Sequence, residues 1–126
     1  MPMSTPWGAS QGVLKIRRGV LDTYTAGHGG VGVSRRLAEK SFPKEVIEGL
    51  FLHGYYWFES DCDWALPFFF NNEWFVDFLR ANKKTESTSF DAPDVQELYE
   101  KHIIGTMKRW HPETFAKYEG LVNGSR

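Results

Sequence analysis

The segment "VLKIRRGVLDTYT", residues 13–25, decides the fold class of this chain. Apolar and polar residues alternate over residues 13–17 and again over residues 20–25, which is the pattern of half-buried strands. Only an Arg-Gly pair separates the two stretches, and a connection this short favours an antiparallel hairpin. A third short strand is expected at residues 31–33. The chain is therefore predicted to begin with a small antiparallel sheet.

Helices are predicted to follow the sheet. Ser34 suits the N-cap of a short helix through residue 39, and Pro43 suits the first position of a second helix that reaches about residue 50. Asn72 starts a third predicted helix. Farther along, apolar residues recur at steps of three and four positions, which is typical of an amphipathic helix over residues 93–110. The residues of this apolar stripe are Val95, Leu98, Tyr99, His102, Ile103, Thr106, Met107 and Trp110.

The whole chain is predicted to be one α+β domain in which the sheet packs against helices. Its 126 residues suit a single domain. We expect residues 1–81 to form the α+β core, residues 82–92 a polar linker, and residues 93–120 a C-terminal helical segment. A short helix after Pro112 is expected to end this segment. The side chains expected in the core include Trp64, Trp74, Phe75, Phe78, Ile103, Met107 and Trp110.

The composition argues against several classes of protein. Hydrophobic residues make up 41% of the chain and aromatic residues 16%, so the chain should fold rather than remain disordered. The net charge of −1 provides no general attraction to nucleic acids or to acidic membranes. No apolar run approaches the roughly 20 residues of a membrane span, and the N-terminus lacks the pattern of a signal peptide. We therefore expect a cytoplasmic protein with no nucleic-acid or membrane partner, and the oligomeric state stays open.

Acidic and aromatic residues are concentrated in residues 51–79. This segment has five acidic residues and no Lys or Arg, and it contains twelve of the twenty aromatic residues. We expect it to build much of the core and to display an acidic cluster. Cys62, the single cysteine, lies between two aspartates, so the pKa of its thiol should be raised and its nucleophilicity should be low.

The first candidate site is the glycine-rich stretch "TAGHGG", residues 25–30. Glycine permits close backbone approach, so these glycines can hold His28 in an exposed position where it can serve as a general base. The spacing matches neither the Walker loop nor the dinucleotide-binding motif. The alternative is a simple glycine-rich turn whose histidine is exposed. The candidate binding residues in this stretch are Thr25, Gly27, Gly29 and Gly30.

The second candidate site is the acidic stretch "ESDCDW", residues 59–64. Glu59, Asp61 and Asp63 alternate, so they share one face in a strand or can converge on a cation in a loop. The positions that follow do not match an EF-hand loop, but three carboxylates are compatible with Mg²⁺ or Mn²⁺. The alternatives are a solvated face, helix caps, or ion pairs with Arg35 and Arg36.

The two stretches are expected to meet in one site. In that site His28, Glu59 and Asp61 would be the catalytic residues, whereas Asp63 and Trp64 would contribute to binding. No cofactor is required by the sequence. A distance of more than about 12 Å between the imidazole and all three carboxylates would exclude even a water-bridged contact, and with it a shared site.

Three short motifs resemble a known family. "TPWG" at residues 5–8, "TAGHGG" at residues 25–30 and "ESDCDWA" at residues 59–65 are similar, in order and distance, to motifs of a family of small domains of unknown function common in plasmid- and phage-borne proteins. The resemblance covers about residues 1–80. Trp and Phe stand where the family has a Tyr beside the acidic motif. The resemblance implies one shared site and an accessory role in a mobile element, such as counteracting a host defence.

Two classes of function are compatible with these observations. The first is a small binding protein that occupies a host protein or a small ligand, for which the short chain and the acidic, aromatic segment argue. The second is a small hydrolase or transferase in which His28 is the general base and the acidic residues hold a metal ion or orient the base. The first is favoured because no complete catalytic motif is present.

Overall fold

The structure is a computed structural model that describes residues 3–123 of the chain, with side-chain environments for residues 3–120. Strands and helices are interspersed up to residue 59, and only helices follow. The strands are β1 (Ser4–Thr5), β2 (Gly8–Ala9), β3 (Gly12–Arg17), β4 (Val20–Tyr24), β5 (Gly29–Ser34), β6 (Phe51–Leu52) and β7 (Tyr55–Glu59). The helices are α1 (Arg35–Ser41), α2 (Lys44–Ile47), α3 (Ala65–Phe70), α4 (Asn72–Ala81), α5 (Pro93–Leu98), a π-helical segment (Tyr99–Ile104), α6 (Gly105–Trp110) and α7 (Pro112–Asn123).

Five strands form one antiparallel sheet in the order β3-β4-β5-β7-β6. The predicted hairpin is confirmed, since β3 pairs with β4 in antiparallel orientation. The register of this pairing shifts between Lys15 and Arg17. The third strand is also confirmed, but it spans Gly29–Ser34 and is longer than expected. Strands β1 and β2 form a separate two-stranded sheet at the N-terminus. The α+β class with an antiparallel sheet is therefore correct.

One face of the five-stranded sheet is covered by helices. Alternate residues of β4, β5 and β7 point to this face, and the core there includes Val20, Val31 and Phe58, each at most 1% exposed. Aromatic side chains from α3 and α4 fill the space above them, and Phe68 and Phe69 are the most deeply buried of these. The aromatic segment therefore builds much of the core, as its composition predicted.

The opposite face of the sheet is closed by two tryptophans packed over glycines. Trp7 lies in the turn between β1 and β2, and its ring meets that of Trp57 edge to face at 6.0 Å. A Cβ atom on Gly30 would lie 2.5 Å from the Trp7 ring, and one on Gly32 would lie 2.7 Å from the Trp57 ring. These two glycines are therefore required by packing.

The C-terminal helical stretch departs from the predicted phase. It begins at Pro93 and ends at Trp110 as expected, but residues 99–104 form a π-helical segment. The buried residues are spaced by four positions, and such spacing drifts by about 40° per step in a regular α-helix. Wider π-helical turns offset this drift. The residues so buried are Val95, Tyr99, Ile103 and Met107.

Two residues of the predicted apolar stripe, Trp110 and His102, lie on the surface because the buried face of the helix follows the four-residue spacing. The Trp110 side chain is 50% exposed, and the Arg109 guanidinium lies over its ring at 5.4 Å. His102 is exposed as well. Trp64 and Phe78, also expected in the core, are half-buried and pack at its margin, whereas the other expected core residues are buried. The prediction was thus wrong for Trp110.

Helix starts are the other point of difference. Pro43 is the N-cap of α2, not its first residue, and α2 ends at Ile47 rather than near residue 50. Ser34 occupies the N-cap of α1, but its side chain makes no capping hydrogen bond because it ends strand β5. Helix α7 runs from Pro112 through Asn123, whereas the C-terminal helical segment was expected to end at residue 120.

Residues 82–92 contain no helix or strand, yet they are held against α5. The Asp94 carboxylate accepts hydrogen bonds from the hydroxyls of Thr85 and Ser87, which lowers the pKa of the Asp94 carboxyl. Gln96 Nε2 donates to the carbonyl oxygen of Phe90 at 2.6 Å, and the Phe90 ring is buried in the core. This polar segment is thus anchored at several points. Within residues 3–123, no helix is both long and apolar enough to span a membrane.

Candidate functional site

The candidate site is a groove of about 690 Å³ at one end of the sheet. We call it the acidic groove. It lies where β3, β4 and β5 meet the turn after β7, close to the end of α4. Its lining residues are Gly12, Val13, Leu14, Asp22, Thr23, Tyr24, Thr25, Gly27, His28, Gly29, Glu59, Ser60, Asp61 and Asn82.

The glycine-rich stretch contributes a tight turn to this groove. The Thr25 amide donates to the carbonyl oxygen of His28 at 2.6 Å, and the Thr25 hydroxyl donates to the same oxygen at 3.1 Å. The His28 amide in turn donates to the Thr25 hydroxyl oxygen at 3.3 Å. Thr25 therefore fixes the turn between β4 and β5, and this turn presents the His28 side chain, which is 57% exposed.

The expected meeting of the two stretches is present. His28 Nδ1 lies 3.6 Å from Glu59 Oε1, far inside the 12 Å limit set above. The register of the sheet explains this distance. Gly30 of β5 is paired with Glu59 of β7, so the turn before β5 and the turn after β7 lie side by side. The Ser60 amide also donates to the carbonyl oxygen of Gly29 at 2.8 Å, which joins the two turns.

The acidic stretch is a turn, not a strand, and its three carboxylates diverge. Strand β7 ends at Glu59, and the amides of Asp63 and Trp64 both donate to the carbonyl oxygen of Glu59. Glu59 faces His28, Asp61 lines the acidic groove, and Asp63 points toward the C-terminal helices. Of the two alternatives, the strand with all three side chains on one face does not apply, because the strand ends at the first of them.

Histidine side chains lie beside Glu59 and Asp63, whereas Arg35, one of the partners considered from the sequence, does not pair with them. His111 Nε2 lies 2.9 Å from Asp63 Oδ1 and donates to the carbonyl oxygen of Cys62 at 3.0 Å. Arg35 instead pairs with Glu39, one turn along its own helix. His111 thus ties the acidic stretch to the junction between α6 and α7.

The residues described by the structure contain no group of three or more His, Cys, Asp or Glu side chains arranged to hold a metal ion. This follows from the divergence of Glu59, Asp61 and Asp63. The Mg²⁺ or Mn²⁺ interpretation therefore has no geometric support from these three carboxylates.

The candidate residues divide into two sets. Those that line the acidic groove are Thr25, Gly27, His28, Gly29, Glu59 and Asp61. The other three lie outside it. Gly30 is buried under Trp7, Asp63 pairs with His111, and Trp64 packs against Phe68 and Phe78 at the margin of the core.

Asp22 is a groove residue that the motif search did not select. It lies on β4 with Leu14 and Val31 as its neighbours across the sheet. Burial raises the pKa of the Asp22 carboxyl above its ordinary value of 3.8. The sequence signal was an acidic residue on the same strand face as the buried Val20, a placement that is costly unless the carboxylate is paired or hydrogen-bonded.

Tyr24 is the second such residue. Its side chain is 57% exposed although it is aromatic, and its ring lies across the backbone of Gly12. A Cβ atom on Gly12 would lie 2.2 Å from this ring. Glycine at position 12 therefore leaves room for the phenol beside strand β3, at the lining of the groove.

Cys62 is not a promising nucleophile. Partial burial and the negative charges of Asp63 and Glu59 raise the pKa of its thiol. The direction predicted from the neighbouring aspartates is confirmed. The reactive thiolate form of Cys62 is therefore disfavoured.

Comparison with known proteins identifies a family without a known activity. No curated protein and no solved structure matches the chain. A family described as a domain of unknown function, DUF7007, matches residues 1–125. The match includes the C-terminal helices, so the expected restriction of the resemblance to about residues 1–80 is wrong. The chain belongs to the family of domains of unknown function designated DUF7007.

Proposed function

We propose that this protein is a small binding protein that holds a positively charged group of its partner in the acidic groove. The observation that carries the proposal is the lining of the groove, which includes three acidic residues: Asp22, Glu59 and Asp61. Among its described lining side chains, His28 alone can carry a positive charge. Such a groove attracts cations and repels anions.

The apolar lining favours an organic cation over a bare metal ion. Leu14 and Tyr24 lie at one side of the groove, and both are exposed. An alkyl stem can pack on Leu14 while a guanidinium or ammonium head lies over the Tyr24 ring and contacts the carboxylates. The side chains of Arg and Lys have this build, and so do small amines.

Asp22 adds a free-energy argument. Its raised pKa means that its charged form is disfavoured in the unliganded protein. A cation bound beside it would favour the carboxylate and offset the cost of burial. Binding should therefore lower the pKa of Asp22 and release protons at pH values near that pKa.

The biological setting that we propose is the cytoplasm of a host bacterium. There the protein would act as an accessory of a phage or plasmid by occupying a host protein or a small ligand, for instance to counteract a host defence. The support for this setting is the motif resemblance at residues 5–8, 25–30 and 59–65, together with the binding groove that two of these motifs line.

Calorimetric titration with N-acetyl-arginine amide tests the binding function. N-acetyl-citrulline amide is the neutral control of nearly the same shape. We expect measurable heat for the arginine compound only, and at least about tenfold weaker binding in Glu59→Gln and Asp61→Asn, because a charged hydrogen bond contributes about 1.5–3 kcal/mol.

Asp91→Asn is the matched control, since Asp91 is an exposed acid outside the acidic groove. It should bind like the parent. Equal binding of the arginine and citrulline compounds, or no binding of either, would contradict the proposed function.

A catalytic role is the second candidate, and one contact favours it. The 3.6 Å approach of Glu59 Oε1 to His28 Nδ1 could orient the imidazole as a general base. The test is hydrolysis of p-nitrophenyl acetate and p-nitrophenyl phosphate, with and without MgCl₂ or MnCl₂. Turnover that His28→Ala removes would favour the enzyme, whereas turnover unchanged by His28→Ala would exclude this role for the imidazole.

A further inference from the structure

We infer that the outer edge of strand β3, beside the acidic groove, receives an extended segment of a partner protein as an added strand and places an Arg or Lys of that segment in the groove. This inference rests on the proposed function and names its partner class. It concerns the backbone edge of a strand whose residues 12–14 also line the groove.

Strand β3 is an edge strand. It is the first in the order β3-β4-β5-β7-β6, and β4 is its only strand neighbour among the residues that the structure describes. An edge of this kind offers backbone N–H and C=O groups that another strand can use. The other edge, β6, spans only Phe51–Leu52 and is too short to hold a segment.

The two halves of β3 differ in how they are protected. Edges are commonly protected from added strands by lysines and by bulges. Lys15 and the register shift before Arg17 protect the C-terminal half of β3 in this way. The N-terminal half instead exposes apolar side chains, with Val13 49% and Leu14 38% exposed. An added strand is therefore favoured along residues 12–14.

The unprotected half is also the half that borders the acidic groove. Leu14 is paired with Asp22 across the hairpin, and both line the groove. Neighbouring strands lie about 4.8 Å apart, so an added strand would lie about 10 Å from β4. Only a long side chain that leans over Leu14 approaches the Asp22 carboxylate from there.

Charge complementarity fixes the kind of segment and its placement. The groove is acidic, whereas the other end of the hairpin carries Lys15, Arg17 and Arg18. A basic residue of the partner is attracted at the Gly12 end and repelled at the Arg17 end. The favoured occupant is thus an extended, uncharged segment with one Arg or Lys that faces the groove.

Backbone methylation of a peptide separates the edge from the groove. The probe is acetyl-Thr-Val-Arg-Val-Thr-amide, compared with two N-methylated forms. One form is methylated at both Val residues, and the other at the two Thr residues and the Arg. These sets correspond to the two opposite edges of an extended peptide. The reference ligand is N-acetyl-arginine amide.

We expect the peptide to bind the full chain at least about tenfold more tightly than N-acetyl-arginine amide, because strand pairing adds backbone hydrogen bonds. One methylated form should lose this gain, and the other should keep it. Amide hydrogen exchange in residues 12–14 should slow when the peptide is bound.

Three other outcomes overturn the inference in distinguishable ways. If the arginine compound binds and neither methylation has an effect, the groove function stands and the strand pairing is excluded. If neither peptide nor arginine compound binds, the proposed function fails as well. If concentrating the protein alone slows exchange in residues 12–14 and the peptide does not bind, the edge pairs with a second copy of the chain.

Discussion

Asp22 and His28 illustrate what decides a site at the scale of single residues. His28 was visible in the sequence because it is surrounded by glycines, and the structure brings it to Glu59. Asp22 was not selected, because one acid in an alternating strand looks like an ordinary solvated position. Its role depends on which face of the sheet is covered, and a distant part of the chain determines that. Residue identity therefore indicated His28, whereas Asp22 was recognised only from its burial in the structure.

Replacing Asp22 should raise stability and remove the binding of cations. The pKa of the Asp22 carboxyl is higher in the folded protein than its ordinary value of 3.8. The parent is therefore most stable, as far as this group is concerned, below pH 3.8, where the carboxyl is protonated. It loses this stability as the pH rises through the raised pKa. We expect the thermal midpoint of Asp22→Asn to exceed that of the parent at neutral pH, with the gap narrowing as the pH falls toward 3.8.

Thermal melts of both proteins between pH 3 and pH 8 measure this, with Asp91→Asn as the control for loss of an exposed charge. A lower midpoint for Asp22→Asn at neutral pH would mean that the Asp22 carboxylate is stabilised by a partner in the folded state.

At the scale of elements, strand β5 explains Gly30 of the glycine-rich stretch and Gly32 just beyond it. Gly30 and Gly32 make room for Trp7 and Trp57 on the face of the sheet opposite the helices. The sequence alone offered a site and a turn as alternatives, and a strand packed under tryptophans was not among them. The missing information was the long-range contact with the TPWG turn, because local patterns do not report which distant ring covers a strand.

Gly30→Ala should destabilise the protein by about 1–3 kcal/mol, the usual cost of added volume in a packed region. The new Cβ would lie 2.4 Å from the carbonyl oxygen of Phe58, and a backbone atom of the central sheet cannot move aside easily. Chemical denaturation measures the change. Gly27→Ala is the control, since a Cβ there meets no atom within 4 Å. Equal stability of the two variants would contradict the close packing of Phe58 and Trp7 on Gly30.

The long C-terminal helix shows the limit of periodicity. Steps of three and four positions correctly predicted a helix from Pro93 to Trp110. They did not predict the π-helical segment, because the same spacing is compatible with more than one helical phase. The error falls on residues near the edge of the stripe, such as His102 and Trp110, whereas central residues such as Ile103 were placed correctly.

Two tryptophan variants test this phase. Trp74 is only 5% exposed and packs near Phe42, so Trp74→Ala should lower the free energy of unfolding by about 3–5 kcal/mol. Trp110 is 50% exposed, so Trp110→Ala should change it by less than about 1 kcal/mol. Urea denaturation of both variants measures the two values. A loss of several kcal/mol in the free energy of unfolding for Trp110→Ala would show that Trp110 is buried, which would contradict the observed helical phase.

At the scale of the whole molecule, the fold class followed from the alternation of residues 13–25, and the site followed only in part. The antiparallel hairpin and the aromatic core are properties of local pattern and composition. The groove arises where the turn between β4 and β5 meets the turn after β7, because β5 and β7 are paired. The divergence of the acidic stretch and its link to His111 depend on the end of β7 and on helix packing, which no short motif encodes.

The central claim is that the acidic groove is where this protein binds its partner. The most direct measurement is a map of backbone amide chemical shifts during titration with N-acetyl-arginine amide, with N-acetyl-citrulline amide as the control. We predict that the arginine compound shifts the amides of residues 12–14, 22–29 and 59–61 in the parent, and that the same shifts in Glu59→Gln need at least about tenfold more of the compound. The citrulline compound should shift none of them. Shifts centred on another surface, or equal shifts from both compounds, would contradict the claim.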